Sequence, residues 1–510
     1  MARTWTVMIY LSGNNNLAES CVFNLTEMRR ANLNEDVKVV AQLDSMVYDN
    51  QPLLIEQDET PGSLKIALEK AARATAVRRR AQKKPQTYAA EIFDFVKESV
   101  QKYESPHYMI ILLGHGAGSA HDFLQRSNRG RLDSLTMKGL GRLIERIHKL
   151  PQVQSRGIDV LGLDSCLMST AEVAYLVHNH VKVTIGSEGF EPLAGWPYKI
   201  LLEEISRTGR LPRGGKDDDV KEMARRFVCG YMKYYSDYQA AAVSVDQSAC
   251  DLGLTQQLKI ALEIFSRRLC GYLQSDDVVR NALVLAHWEA QPYLNEQYVD
   301  LYDFCERLQH YCPREKTDVH SACQNIMNVI RGIAEESKIG HDPDQADTQF
   351  RDIKGSFVLQ SCYSGVTVQY SYGVSIYFPW AADPADQNGL KSYGKLFFAK
   401  DTNWADFLEA YLTKTKRKMR PGKGTKSFEP QLTSILFDSG FITPGNRNSG
   451  NDRNSGNDRN SGNDRSGNDR IGSMRNPATD FADCVCEIES PRTEGLGKGK
   501  KRVKARRTKK

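Results

Sequence analysis

His107-Tyr-Met-Ile-Ile-Leu-Leu113 runs directly into Gly114-His115-Gly116-Ala117-Gly118, and Ile158-Asp-Val-Leu-Gly-Leu163 runs into Asp164-Ser165-Cys166-Leu167-Met168. Short apolar runs closed by glycine or by a helix start read as buried parallel strands. Each run therefore presents one reactive side chain just past a strand end, where open α/β sheets bind their ligands. A thiol needs a base or an electropositive neighbour to become a thiolate, and an imidazole titrates in the right range to serve. His115 and Cys166 are the candidate general acid–base and nucleophile.

The first 250 residues extend the same pattern. Candidate strands at 4–11, 37–43, 108–113, 158–163, 181–187 and 240–245 alternate with candidate helices at 17–30, 87–103, 136–149 and 167–178. Such alternation predicts an α/β/α sandwich with a mostly parallel sheet. The helix at 167–178 would begin at the nucleophile, placing its N-terminal dipole on the Cys166 thiol. From 251 to 415 helical stretches (252–273, 278–289, 300–311, 318–336) give way to strand-like segments at 355–361 and 366–379 and a last helical piece. We read this as a C-terminal α+β subdomain packed on a catalytic domain of residues 1–250.

After residue 416 the composition changes. Arg447-Asn-Ser-Gly-Asn-Asp452 opens a near-exact hexapeptide repeat that runs to Arg470 and offers nothing to bury, which predicts disorder. The last thirteen residues carry nine Lys or Arg, a charge density suited to an acidic partner or nucleic acid, or simply to solubility.

The 510-residue chain is 40% hydrophobic and 26% charged, with a formal net charge of +6, the composition of a soluble globular protein. Its eleven cysteines are scattered without a repeating spacing, which points to reduced thiols, and Cys484-Val-Cys486 lacks the second pair a zinc site needs. No signal-peptide core or run of 18 apolar residues is seen, so a bacterial cytoplasmic location is the default expectation and no transmembrane segment is expected. A nucleotide-binding reading finds no Walker sequence and no complete Gly-x-Gly-x-x-Gly after a strand.

The His–Cys spacing, 166 − 115 = 51 residues, with His-Gly after one strand and Ser-Cys after the next, resembles the caspase–haemoglobinase clan of cysteine peptidases. Within it, the chain is similar to the clostripain family over residues 5 to 412. Trp5-Thr-Val-Met-Ile-Tyr-Leu-Ser-Gly-Asn-Asn-Asn-Leu17, the Asp164–Tyr175 segment and Gly186-Ser-Glu-Gly-Phe-Glu-Pro-Leu-Ala-Gly-Trp-Pro-Tyr198 carry the resemblance, with Val299–Phe304, Gly373–Pro379 and Trp404–Leu408 further on.

The resemblance implies a caspase-like fold and a cysteine endopeptidase cutting after Arg, less often Lys, in protein or peptide substrates. His115 would protonate the leaving amine, and the N–H groups of Gly116 and Cys166 would form the oxyanion hole. Asp164 has two readings: an N-cap for a helix starting at the nucleophile, or the acid at the base of the pocket for the basic residue. Glu191 or Glu188 would add charge to that pocket and Trp196 would wall it. The chemistry requires no cofactor. Calcium dependence, a property of some members, is less expected here because Asn14-Asn15-Asn16 stands where members carry acidic residues, and no liganding residues are named. The polar, basic stretch Gln125–Leu132 between the dyad partners reads as a surface loop, with Arg126, Arg129 and Arg131 as self-cleavage candidates. A protein that keeps the scaffold for binding or regulation without turnover is the alternative.

Overall fold

The computed structural model describes residues 5–45, 52–57, 60, 62–69, 87–128, 131–208, 216–237, 243–294, 296–332, 355–381, 390 and 392–415. The hexapeptide repeat, the Lys/Arg-rich end and Arg129 lie outside them.

The first half builds strands β1 (Trp5–Ser12), β2 (Val37–Asp44), β3 (Leu53–Leu54), β4 (His107–Leu113), β5 (Phe123–Asn128), β6 (Arg131–Leu135), β7 (Ile158–Asp164), β8 (Val181–Gly186) and β9 (Val245–Asp251). An eight-stranded sheet runs in the order β12-β9-β8-β7-β4-β1-β2-β3, where β12 is Val358–Ser364. The five strands β2, β1, β4, β7 and β8 are mutually parallel, and β3 and β9 run against their neighbours.

Period-2 alternation sorts the strand side chains onto two faces. Val7, Ile9, Leu11, Ile111 and Val160 pack under α1 (Ala18–Arg30) and two helices that follow β8. Met8, Tyr10, Ile110, Leu112 and Leu161 pack against α2 (Tyr88–Lys102), α3 (Met137–His148) and α4 (Ala171–Val177). The two helices on the first face are α5 (Tyr198–Thr208) and α6 (Lys216–Ser236). The result is the α/β/α sandwich with a mostly parallel sheet that the alternation predicts.

The second half contributes α7 (Thr255–Ser275), α8 (Asp277–Glu289), α9 (Leu301–Tyr311) and α10 (Thr317–Arg331), whose apolar faces join the core on the α2–α4 side. A three-stranded sheet of β10 (Pro292–Tyr293), β11 (Tyr298–Asp300) and β13 (Ser375–Tyr377) and the closing helix α11 (Trp404–Thr415) complete it. Position 250 marks no break in packing, because β12 pairs antiparallel with β9 and extends the main sheet. No described helix is long and apolar enough to cross a membrane.

Two elements differ from expectation. The sixth strand, expected at 240–245, is observed at Val245–Asp251, and residues 240–242 of the expected stretch lie outside the described residues. Its Asp246, Gln247 and Ser248 are buried polar side chains, so the segment carries no apolar signal. The stretch 366–379, read as strand, is a 3-10 turn at Val366–Val368 and a three-residue strand at Ser375–Tyr377.

Candidate active site

Parallel pairing of β4 with β7 puts Leu113 opposite Asp164, and the Gly114 N–H donates to the Asp164 carbonyl at 3.2 Å. Two residues further along each chain, His115 and Cys166 stand at equivalent positions past the carboxyl ends of adjoining strands. The two turns are fastened to each other. Ser165 Oγ donates to the Gly114 carbonyl at 2.6 Å, and a Cβ on Gly116 would lie 2.5 Å from the Cys166 carbonyl oxygen. Only glycine permits that approach. Among the described residues neither the Gly116 nor the Cys166 N–H enters a backbone pair.

Gly118 continues the His115 turn with φ +79°, its Cα turned against the Tyr298 ring, and Tyr298 Oη accepts from the Ala120 N–H at 2.9 Å. A residue of the C-terminal half thus braces the histidine turn.

Cys166 does not start a helix. It sits in a turn with Leu167 at φ +62°, and α4 begins at Ala171 with Thr170 as the cap, its Oγ1 accepting from Val173 N. The expectation that a helix dipole acts on the thiol is corrected, and with it the reading of Asp164 as that helix's N-cap. A left-handed non-glycine residue costs about 1–3 kcal/mol and is held by its surroundings; here the Leu167 N–H is fixed on the Gly189 carbonyl at 2.9 Å. What faces the sulfur instead is the Glu191 N–H, 3.3 Å from Sγ. Burial pushes the thiol up to about 12, with the Glu191 N–H working the other way. His115 is lowered to about 4, again by burial, and its Nε2 meets Asn16 Oδ1 at 2.6 Å. At neutral pH both groups therefore rest uncharged.

Asp164 and Glu191 lie together behind Trp196. Asp164 is 3% exposed, and its Oδ2 accepts from Tyr198 Oη at 2.7 Å and from the Trp196 N–H at 3.3 Å. Glu191 Oε1 accepts from Trp196 Nε1 at 3.1 Å and Gln247 Nε2 at 3.2 Å, and Oε2 accepts from Tyr231 Oη at 2.7 Å. The Trp196 ring lies edge-on to Phe227 and over Gly162, where a Cβ would come within 3.0 Å of it. Desolvation raises Asp164 to about 7 and Glu191 to about 8, the Asp164 charge adding to the second. Among the described residues every hydrogen-bond partner of these acids is a neutral donor, so no matching cation stands in these contacts.

Glu188 does not join them. Its Oε2 accepts from the Gly373 N–H at 2.7 Å, and Asp300 is its charged neighbour. Asp246, which the sequence reading missed, fixes the start of the loop: its carboxylate accepts from the Glu188 N–H at 2.6 Å and the Gly189 N–H at 2.9 Å. Asn16, Tyr198, Tyr231 and Gln247 were missed as well. Only Asn16 carried a signal, the Asn-rich turn after the first strand.

The described residues of the Gln125–Leu132 stretch are not a surface loop. They form most of an antiparallel hairpin, with Asn128 paired to Arg131. Arg126 is 4% exposed, with ion pairs to Glu91 at 2.7 Å, Asp44 at 3.0 Å and Asp133 at 3.0 Å, and its guanidinium lies 3.9 Å from the Tyr88 ring centroid. Arg126 is therefore removed as a cleavage candidate: a protease would have to unfold the hairpin to reach it. Arg131 opens the return strand, at the hairpin tip. Among the described residues no group of three or more His, Cys, Asp or Glu could hold a metal ion.

Comparison with known proteins gives the family. The model of the clostripain family (Peptidase C11) matches residues 9–411. Clostripain of Hathewaya histolytica is 22% identical over 494 residues, covering 80% of this chain and 87% of that one. A secreted C11 cysteine protease of Bacteroides thetaiotaomicron, solved with an irreversible peptide inhibitor, superposes with a TM-score of 0.52 at 14% identity, covering 79% of this chain and 99% of that chain. An inactive zymogen C11 protease of Parabacteroides distasonis gives 0.45 at 15% identity, with 79% and 99% covered. With nearly all of its described residues inside the family match, this chain belongs to the clostripain family and is a cysteine peptidase.

Proposed function

We propose that the chain is an endopeptidase that cleaves after Arg, and less often Lys, with Cys166 as nucleophile and His115 as its proton-transfer partner. The register of β4 on β7 is the observation that carries the dyad, because it sets the two side chains past adjoining strand ends without help from any longer loop. In this reading the imidazole takes the thiol proton as Sγ bonds to the scissile carbonyl carbon. The carbonyl oxygen, now negative, is received by the Gly116 and Cys166 N–H groups. The same imidazole proton passes to the leaving amine, and water then hydrolyses the thioester.

Specificity follows from electrostatics. Two buried carboxyls whose ionisation is resisted by desolvation gain most from a partner that brings a positive charge and several donors. A guanidinium does this bidentately, and an ammonium less well. Asp164 is assigned the main role and Glu191 the supporting one, with Trp196 as the wall. Self-cleavage is proposed after Arg131, which opens strand β6, or after Arg129, which lies outside the described residues. The test is hydrolysis of matched arginyl, lysyl and leucyl amides by wild type and Cys166→Ala. The proposal requires an arginyl preference that disappears with the thiol, and arginyl turnover undiminished in the variant would end it.

A further inference from the structure

We infer that Phe190 is a specificity-determining residue: its half-exposed ring receives an apolar side chain on the substrate residue immediately before the basic one. The enzyme then selects an apolar–Arg pair rather than arginine alone. This rests on the proposed roles of His115, Cys166 and the Asp164–Glu191 pocket.

A single exposed apolar side chain needs no explanation in itself. The setting of this one does. The Phe190 side chain is 50% exposed, yet the backbone is held on both sides of it. Before it, the Gly189 N–H donates to Asp246 Oδ1 at 2.9 Å, and the Gly189 carbonyl accepts from the Leu167 N–H at 2.9 Å, one residue past the nucleophile. A Cβ on Gly189 would stand 2.6 Å from Asp246 Oδ1, so glycine is what lets the segment lie so close. After it, the Glu191 N–H faces Cys166 Sγ at 3.3 Å. The peptide unit that joins Phe190 to Glu191 is thus the one that touches the sulfur. The two side chains part there. Glu191 turns inward to Trp196 Nε1, Tyr231 Oη and Gln247 Nε2, while Phe190 stays at the surface.

The sheet decides which half of a substrate meets the ring. Strand β7, which leads into Cys166, lies between β4, which leads into His115, and β8, which leads into the loop of Phe190. The leaving amine must sit at the imidazole, on the β4 side. The acyl half of the substrate therefore lies on the β8 side, along the loop. An extended peptide sends successive side chains to opposite faces. With the basic side chain lowered into the pocket beside Glu191, the side chain before it is raised to the face that Phe190 occupies. An apolar group placed there leaves water together with the ring, and glycine offers nothing to bury.

The experiment uses two series of internally quenched peptides with a central arginine, one varied through Gly, Ala, Leu and Phe at the residue before it, the other at the residue after it. In kcat/KM, wild type should prefer the Leu and Phe members of the first series over the Gly member by about tenfold, the lower end of what an apolar contact gives. Phe190→Ala should bring that ratio within about twofold of one, and Phe190→Leu should retain most of it. No preference in wild type, or one that survives Phe190→Ala, would overturn the inference. So would an equal fall for Leu and Gly members, the mark of a distorted loop, or a Phe190-dependent preference confined to the residue after the cut. Failure of wild type to cut after arginine in any member would instead refute the proposed specificity on which the inference rests.

Discussion

Replacing Asp164 with Asn separates the two jobs a buried acid could have. The amide is isosteric, and its oxygen can still accept from Tyr198 Oη and the Trp196 N–H, so the local packing is kept. What is lost is the charge. Removing one member of a buried, hydrogen-bonded charge pair costs about 2–5 kcal/mol at an interface. At about 1.4 kcal/mol per tenfold, kcat/KM for an arginyl amide should fall by roughly 30- to 4,000-fold, with little change for a leucyl amide. Stability should move the opposite way. Asp164 is raised from 3.8 to about 7, so the folded state holds its proton more tightly than the unfolded chain. The resulting penalty is absent below the unfolded value, grows as pH rises, and is complete above the folded one, where it amounts to about 4 kcal/mol at most. Asn carries no such penalty, so the variant's denaturation midpoint at pH 8 should equal or exceed wild type. Paired kinetics on arginyl and leucyl amides, with urea titrations at pH 5 and pH 8, give both readouts. An unchanged Arg-to-Leu ratio would show that Asp164 only satisfies Tyr198 and Trp196, and the specificity argument would be wrong.

Arg126→Met should destabilise the fold by about 3–5 kcal/mol in urea titrations, because Asp44 and Glu91 lose their buried cation; a loss under 1 kcal/mol would mean the cluster is solvated. The acid limbs of kcat/KM and kcat should differ. The first reports the free Asp164–Glu191 pair and should fall near pH 7 to 8 as its carboxyls take up a proton, while the second should extend toward pH about 4, where His115 titrates once bound guanidinium keeps the acids ionised; superimposable limbs refute that assignment. Purified wild type should convert to pieces of about 14 and 42 kDa, reckoned at about 110 Da per residue, with new termini after Arg129 or Arg131. Cys166→Ala and an Arg129→Gln/Arg131→Gln double variant should stay whole, and a cut mapped to Arg126 would contradict its place in the hairpin.

The parallel strands were readable because burial on both faces writes itself as unbroken apolar runs, as in His107–Leu113 and Ile158–Leu163. His115 and Cys166 followed from where those runs end. Structure that rests on buried polar groups was not readable. β9 hides Asp246, Gln247 and Ser248 inside the sheet, and nothing in a stretch of Asp, Gln and Ser announces a central strand. Arg126 looked like a loop residue for the same reason: its three carboxylate partners lie 82, 35 and 7 residues away, on separate elements. The α4 start was misplaced because Cys166–Ser169 has good helix formers, while Leu167, locked at positive φ by the Gly189 carbonyl, holds the turn open. Tertiary hydrogen bonds decided each of these against local preference.

The most direct test of the central claim is covalent. Purified protein treated with an arginyl chloromethyl ketone and analysed by intact mass and peptide mapping should carry one adduct, on Cys166, formed much faster than with the leucyl analogue. Cys166→Ala should take none at the same dose. An unlabelled wild type, or a single adduct on any of the other cysteines, would contradict the account.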